Sequence, residues 1–339
     1  MTRRGILTGG TWCIDRNILL DNWPSVNGRA DILRADMSGG GSGCNMAIDM
    51  RKLDPSLPVA TIAVVGDDME GKFLAALADR HGIDRTRMHV TSEAATDYTF
   101  AFSALPSGQR THISYFGTSH LLTPDHFEFS DTPHRIFHLG LPGIHNVMDN
   151  PWRDDANGWV ATLRKARASG LQTNMELASI ASERLAALVR PCLPHLDLLV
   201  VNDHEIAGIA GFETVCDGKT DPAACEDAAK TVLAMGVAQM VVVHFPLGAV
   251  VASKDGGVTS RPSVNAPPSE VAGANGAGDA FAAGFVYGFH EGWSVDDALT
   301  LAHAVAASSL REISTTASVE SWSNCLALAQ KWGWRDAIH

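Results

Sequence analysis

Residues 271 to 285 read V-A-G-A-N-G-A-G-D-A-F-A-A-G-F, setting Gly273, Gly276 and Gly278 ahead of an aspartate that opens a helix-like run. Glycine destabilises a helix interior by about 1 kcal/mol relative to alanine, so this stretch needs bare backbone. Backbone N–H groups at a helix start, added to the positive end of the dipole, form a site for phosphate or for negative charge developing in a transition state. Asp279, at the same turn, is placed to take a proton from a hydroxyl. The structural alternative is an aspartate capping a helix whose glycines allow close packing. Two dinucleotide motifs fail on spacing: the window from Gly273 is G-x-x-G-x-G rather than the Rossmann order, and no G-K-[ST] follows for a P-loop.

Three further stretches put polar groups beside turns. S38-G-G-G-S-G-C-N-M-A47 runs into the helix-like N45-M-A-I-D-M-R-K-L53. Backbone without side chains can press against a ligand, and Asn45 both donates and accepts hydrogen bonds, which suits a polyol; a flexible turn with Asn45 near an N-cap is the alternative. In V200-V-N-D-H-E-I-A207 an apolar strand ends in Asn202 and Glu205. Open α/β sheets bind ligands just past their strands' carboxyl ends, and Glu205 can hold magnesium through water; the alternative is a capping box built by the same two residues. In T11-W-C-I-D-R-N17, Asp15 interrupts a strand-like run, where a carboxylate can accept hydrogen bonds from sugar hydroxyls or simply face solvent. The histidines of H134-R-I-F-H138 and His145 have no acidic partner at ligand spacing, so they read as packed or exposed side chains rather than metal ligands.

The pattern around these residues alternates Val/Ile/Leu-rich runs with helical stretches. V59-A-T-I-A-V-V65 precedes M69-E-G-K-F-L-A-A-L-A78, L196-D-L-L-V-V201 precedes a polar turn, and A238-Q-M-V-V-V-H244 follows a helix ending near Gly236. That is the βαβ rhythm of a mostly parallel sheet covered on both faces, in one α/β domain over residues 1–339. Residues 12–36 and 97–116 break the rhythm; the second region reads as two strands around a Pro-Ser-Gly turn. Both belong to a small β-sheet inserted as a lid.

At 339 residues and 45% hydrophobic composition the chain can bury a sizeable core. Its 26 Lys and Arg against 38 Asp and Glu leave a net charge of -12 with no basic block, which argues against nucleic acid or an anionic membrane as partner. The first residues, M-T-R-R-G-I-L-T-G-G-T-W-C, hold no signal-peptide apolar run and no later run reaches a membrane span, so a cytoplasmic protein is expected. The six cysteines form no C-x-x-C and read as reduced thiols, with a Cys216 to Cys225 pair left open.

In their order and separation, Asp15, G40-G-S-G-C-N-M-A47, N202-D-H-E205 and G273-A-N-G-A-G-D279 resemble the motifs of the ribokinase-like (PfkB-type) carbohydrate kinase family across nearly the whole chain. The resemblance implies a three-layer α/β fold, with a mostly parallel central sheet flanked by helices and a small β-sheet lid. It also implies transfer of the ATP γ-phosphoryl group to a hydroxyl of a small, neutral sugar. In that reading Asp279 is the base, and the backbone of Gly276, Ala277 and Gly278 forms the anion hole. Asp15, Gly40, Gly41 and Asn45 hold the acceptor, while Asn202, Glu205, Gly248, Asn275 and His303 face nucleotide and phosphates. Glu205 organises magnesium. A nucleoside kinase, with Trp12, Tyr98 or Phe100 stacking on a base, and a sugar- or nucleotide-binding regulator without turnover are the alternatives, and a homodimer through the lid is expected from the family.

Three places depart from the family pattern. Gly273 and Ala274 replace the signature's first aspartate and threonine, which removes a carboxylate for a monovalent cation and leads us to expect weak or absent potassium activation. N174-M-E-L-A178 stands where many members carry an Asp-Pro-Asn-x-Arg stretch; Ala178 in the arginine position disfavours an acidic sugar. F245-P-L-G248 keeps only the second glycine of the usual nucleotide loop, setting the Phe245 side chain where backbone usually approaches ATP.

Overall fold

The run Val59–Gly66 is buried at every position. Alternate residues enter different cores: Val59, Ala63 and Val65 pack into one, Ala60, Ile62 and Val64 into the other. A strand between two helical layers needs apolar side chains on both faces, hence a run in which Thr61, hydrogen-bonded to Thr8 and Trp12, is the one polar residue. The computed structural model describes residues 3–105, 110–336 and 338. Its strands are β1 (Ile6–Gly10), β2 (Cys13–Leu20), β3 (Ile32–Gly40), β4 (Val59–Gly66), β5 (Asp84–Thr91), β6 (Tyr98–Ala104), β7 (Arg110–Tyr115), β8 (Ile136–Gly140), β9 (Gln172–Met175), β10 (Leu198–Asn202), β11 (Val215–Cys216), β12 (Lys219–Thr220), β13 (Met240–Phe245), β14 (Gly248–Ser253) and β15 (Val258–Pro262). Its helices are α1 (Ser42–Leu53), α2 (Met69–Arg80), α3 (Gly158–Ala168), α4 (Ser182–Val189), α5 (Asp203–Ala210), α6 (Pro222–Ala234), α7 (Ala277–Glu291), α8 (Val295–Ser309) and α9 (Trp322–Trp332).

Among the described residues the central sheet has nine strands in the order β15-β14-β13-β10-β9-β8-β1-β4-β5. It is parallel from β13 to β5, with β14 and β15 added antiparallel at one edge. Side chains from α1, α2, α7, α8 and α9 fill one core, and those from α3 to α6 fill the other. This is the mostly parallel, helix-flanked architecture that the sequence implied. Because the parallel strands share one direction, their carboxyl ends gather Gly140, Asn202 and His244 along one edge, where open α/β sheets bind ligands.

A separate four-stranded sheet, β3-β2-β6-β7, stands beside that edge. The β6–β7 pair is an antiparallel hairpin, and β2 pairs with β6 in parallel because the two arrive from distant parts of the chain. Register sets Asp15 beside Thr99 and Thr99 beside Ser114 on one face, and Arg16, Met37, Phe100 and Ile113 in a row on the other. The Pro-Ser-Gly turn read from the sequence lies outside the described residues.

Two helix starts differ from the sequence expectation. α7 begins at Ala277, two residues before Asp279, because Gly276 caps it in the left-handed region at φ 75°. α1 begins at Ser42 with Gly41 at φ 88° as its cap, so Asn45 sits inside the first turn rather than near an N-cap. All six cysteines are free, which removes the Cys216–Cys225 pair.

Candidate active site

α7 runs inward from Gly276, where a Cβ would lie 2.7 Å from the Cα of Thr315, so glycine is what lets the Thr315 segment close over the helix start. Asp279, in the first turn, accepts a hydrogen bond from Asn45 Nδ2 at 2.7 Å, and the hydroxyl of Thr315 donates to Asn45 Oδ1 at 3.1 Å. The Asn45 amide is thereby fixed with its NH₂ toward the carboxylate. Burial pushes the Asp279 carboxyl up to about 7, reinforced by the neighbouring charge of Glu176 and opposed by the Asn45 hydrogen bond. A base near neutrality is well matched to removing a hydroxyl proton.

Glu176, just past β9, was not singled out by sequence as a site residue. Its Oε2 lies 3.2 Å from His138 Nε2, an approach without hydrogen-bond alignment. Asn174 Nδ2, across the β8–β9 register, donates to His138 Nδ1 at 2.9 Å. Burial, then the charge of Glu205, lifts the Glu176 carboxyl to about 8. His138 therefore has an acidic partner after all, brought from 38 residues away by strand pairing rather than by ligand spacing, and burial holds its imidazole neutral with a value near 4. His145 is packed as expected, bonded to Thr11 Oγ1 and the Ser119 carbonyl.

Asp279 and Glu176 line a cavity of about 360 Å³ that also takes in Asp15, Gly41, Asn45 and Asn275. A Cβ on Gly40 would lie 2.1 Å from Asp15 Oδ2, so that glycine makes room for the carboxylate it neighbours across the β2–β3 ladder. Burial and the charge of Asp279 raise Asp15 to about 6. Among the described residues no Lys or Arg side chain lines this cavity. Asn275 belongs here and at the lid rather than on the nucleotide side, correcting its sequence assignment. Of the aromatic candidates, Trp12 is a core residue, 1% exposed and donating to Thr61, and is unavailable to a ligand. Tyr98 and Phe100 face Arg16 on the lid's far side, and the Tyr115 ring stacks on Tyr98 at 5.2 Å; Phe116, missed by the sequence reading, borders the cavity.

A second cavity, of about 520 Å³, opens on the other side of the α7 start. It is lined by Asn202, His244, Ala277 and Gly278 at one end and by apolar groups such as Val264 and Leu310 at the other. His303 lines it, in a T-shaped contact with Phe281. Phe245 also lines it, but Gly248 does not: it opens β14 opposite Phe245, packed against the Arg261 carbonyl and Ile338, because the hairpin turns away from the cavity. Asn202 and Glu205 form the capping box of α5, with Glu205 Oε2 accepting from Asn202 N at 3.0 Å and Asn202 Oδ1 accepting from Glu205 N at 2.8 Å. Burial lifts Glu205 to about 7, the Asn202 hydrogen bond opposing it and the charge of Asp279 adding to the rise. A carboxylate so short of positive neighbours fits a magnesium ion held through water. A wider groove of about 970 Å³ between α4 and α5 holds none of the sequence-predicted site residues.

Comparison with known proteins agrees with this arrangement. Residues 12–322 match the family described as pfkB family carbohydrate kinase. A nucleoside kinase from Methanothermobacter thermautotrophicus is 23% identical over 337 residues, 99% of each chain. An ATP-dependent ribose-1-phosphate kinase from Halopiger xanaduensis is 24% identical, with 89% of this chain and 90% of the relative covered. The structure of Arabidopsis thaliana ribokinase complexed with ribose and ATP superposes with a TM-score of 0.77 over 97% of this chain and 99% of that one, at 19% identity.

Proposed function

The chain belongs to the pfkB family of carbohydrate kinases and is an ATP-dependent kinase, and from that premise we propose that it phosphorylates a hydroxyl of a small, neutral sugar with Asp279 as general base. The observation that carries this reading is one of adjacency. Ala277 and Gly278 line one cavity and the next residue, Asp279, lines the other, so a phosphoryl group at the helix start and an acceptor hydroxyl at the carboxylate meet at one point. Phosphoryl transfer asks for positioning and charge stabilisation more than covalent chemistry.

In this proposal Asp15 and Asn45 orient the acceptor, Gly41 borders it, and Gly40, outside the cavity lining, makes room for the Asp15 carboxylate. Asp279 takes the hydroxyl proton as the oxygen attacks. The N–H groups of Gly276, Ala277 and Gly278, at the positive end of α7, meet the charge on the transferring group. Asn202 and Glu205 would hold magnesium through water, and the ion would supply charge neutralisation for the nucleotide phosphates. His303 and Phe281 form the wall for the base.

Among the described residues no lysine or arginine lines the acceptor cavity, which favours a neutral acceptor over a phosphorylated or acidic one. Phe116, at the cavity and 37% exposed, favours a second reading, a nucleoside whose base stacks on it. The test is ADP release from ATP and magnesium across neutral sugars, polyols, sugar acids and nucleosides, with Asp279→Asn as blank. A signal from one acceptor class, absent in the blank, supports the reading. Sugar binding without phosphotransfer in any class would make the protein a binding regulator instead.

A further inference from the structure

β13 carries His244 to the carboxyl edge of the sheet, directly beside Asn202 on β10. The imidazole turns toward the start of α7. Its Cε1 lies 3.3 Å and its Nε2 3.6 Å from the point where a Cβ on Gly278 would stand. The ring is tilted at 37° to Phe281, with centroids 4.9 Å apart, so its face is packed while its Nε2 edge points at the first turn of the helix. Among the described residues neither ring nitrogen makes a hydrogen bond or an ion pair, yet the ring lines the nucleotide cavity with Asn202, Ala277 and Gly278. A histidine recruited only for packing would leave polar nitrogens unpaired at the one place where anionic oxygens are expected, and an unpaired polar group in a part-buried site is unfavourable.

We propose that His244 is a further catalytic residue, donating a hydrogen bond from its imidazole N–H to the nucleotide phosphates at the N-terminus of α7. The inference rests on the kinase reading given above. It supplies what the glycine turn alone lacks, a side-chain donor on the β13 side of the phosphates. No lysine lines this cavity among the described residues, and Arg335 and His303 line it together with the apolar base wall. His244 keeps its proton throughout: the phosphoryl group passes from ATP to the acceptor oxygen, and the hydroxyl proton goes to Asp279. A neutral imidazole carries one ring N–H, which is the donor this role needs.

The experiment compares MgATP, MgADP and adenosine binding by calorimetry for the wild-type chain, His244→Ala and His244→Gln, with melting temperature as the check on folding. A hydrogen bond to a charged group corresponds to roughly 10- to 100-fold in affinity. His244→Ala is expected to weaken MgATP and MgADP by that factor while leaving adenosine unchanged, and His244→Gln, whose amide still donates, recovers most of the loss. Equal losses for adenosine and MgATP would make His244 part of the base wall and overturn the proposal, as would unchanged MgATP binding in both variants. If His244→Ala fails to fold, His244→Met, of similar volume and without a donor, takes its place: weaker MgATP and MgADP with adenosine unchanged supports the donor role, and equal losses or no loss overturns it. A wild-type chain that binds no ATP at all removes the kinase reading, and this inference with it.

Discussion

Asp279 occupies a position that favours its chemistry and opposes its folding. Removing its carboxylate in Asp279→Asn should lower kcat by about 10²- to 10⁴-fold, measured as ADP release at saturating ATP, with a melting temperature no lower than that of wild type. A variant retaining most activity would assign the proton to another group. The stability consequence has a definite sign. An aspartate titrates near 3.8 when unfolded and Asp279 near 7 in the folded chain, so the folded state binds the proton more tightly. Its favourable contribution is complete below pH 3.8 and is lost as pH rises through 7. Glu176, lifted to about 8, and Asp49, fully buried with neither oxygen bonded among the described residues, push in the same direction. Denaturant midpoints taken without nucleotide or magnesium should therefore show Asp279→Asn gaining on wild type between pH 4 and 8. A difference that does not vary with pH would contradict the buried, raised carboxyl. The proposed base was legible in sequence because G-A-G-D sets the proposed anion site and proton acceptor in four consecutive residues.

At the scale of the element, α5 carries a pair of side chains to which the proposal gives a second purpose beside the cap they form. The sequence offered Asn202 and Glu205 as a capping box or as the magnesium end of a ligand site; the structure contains the box, and the box fixes the Glu205 carboxylate at the sheet edge. Two substitutions separate the roles. Glu205→Gln keeps an oxygen that can accept from the Asn202 N–H, so it should melt near wild type while needing a several-fold higher magnesium concentration for half-maximal rate. Glu205→Ala loses the cap as well and should lose about 1 kcal/mol of stability in chemical denaturation. Equal magnesium curves for wild type and Glu205→Gln would leave Glu205 as a cap alone. This pair was readable because it lies within one helical turn. The Glu176–His138 approach was not, since it depends on β9 lying beside β8 with His138 opposite Asn174, and no local spacing encodes which strands become neighbours. The same limit applies to Asn275, whose side of the α7 turn is decided by packing against the lid.

On the scale of the whole molecule the lid sheet has one face committed and one uncommitted. Asp15, Thr99 and Ser114 turn toward the acceptor cavity. The strict alternation of β-strands then forces Met37, Arg16, Phe100 and Ile113 onto the opposite face, where Met37 is 49% and Ile113 56% exposed. The next row of that face adds Ile18 and Phe102, both only half-buried. A largely apolar surface, crossed by Arg16 paired with Glu70, on a sheet that also carries edge strands β3 and β7, is the kind of surface a second copy covers, and a two-fold axis through it would let each lid cover the other. We therefore predict a homodimer through this face. Ile113→Asp is the discriminating change, because a half-exposed residue contributes little to the fold of one chain while a buried carboxylate on a two-fold interface meets its own copy. Sedimentation should show a dimer for wild type and a monomer of unchanged melting temperature at low concentration for the variant. A wild-type chain that sediments as a monomer at tens of micromolar would instead leave this face to solvent and make the lid a flap governed by the acceptor alone.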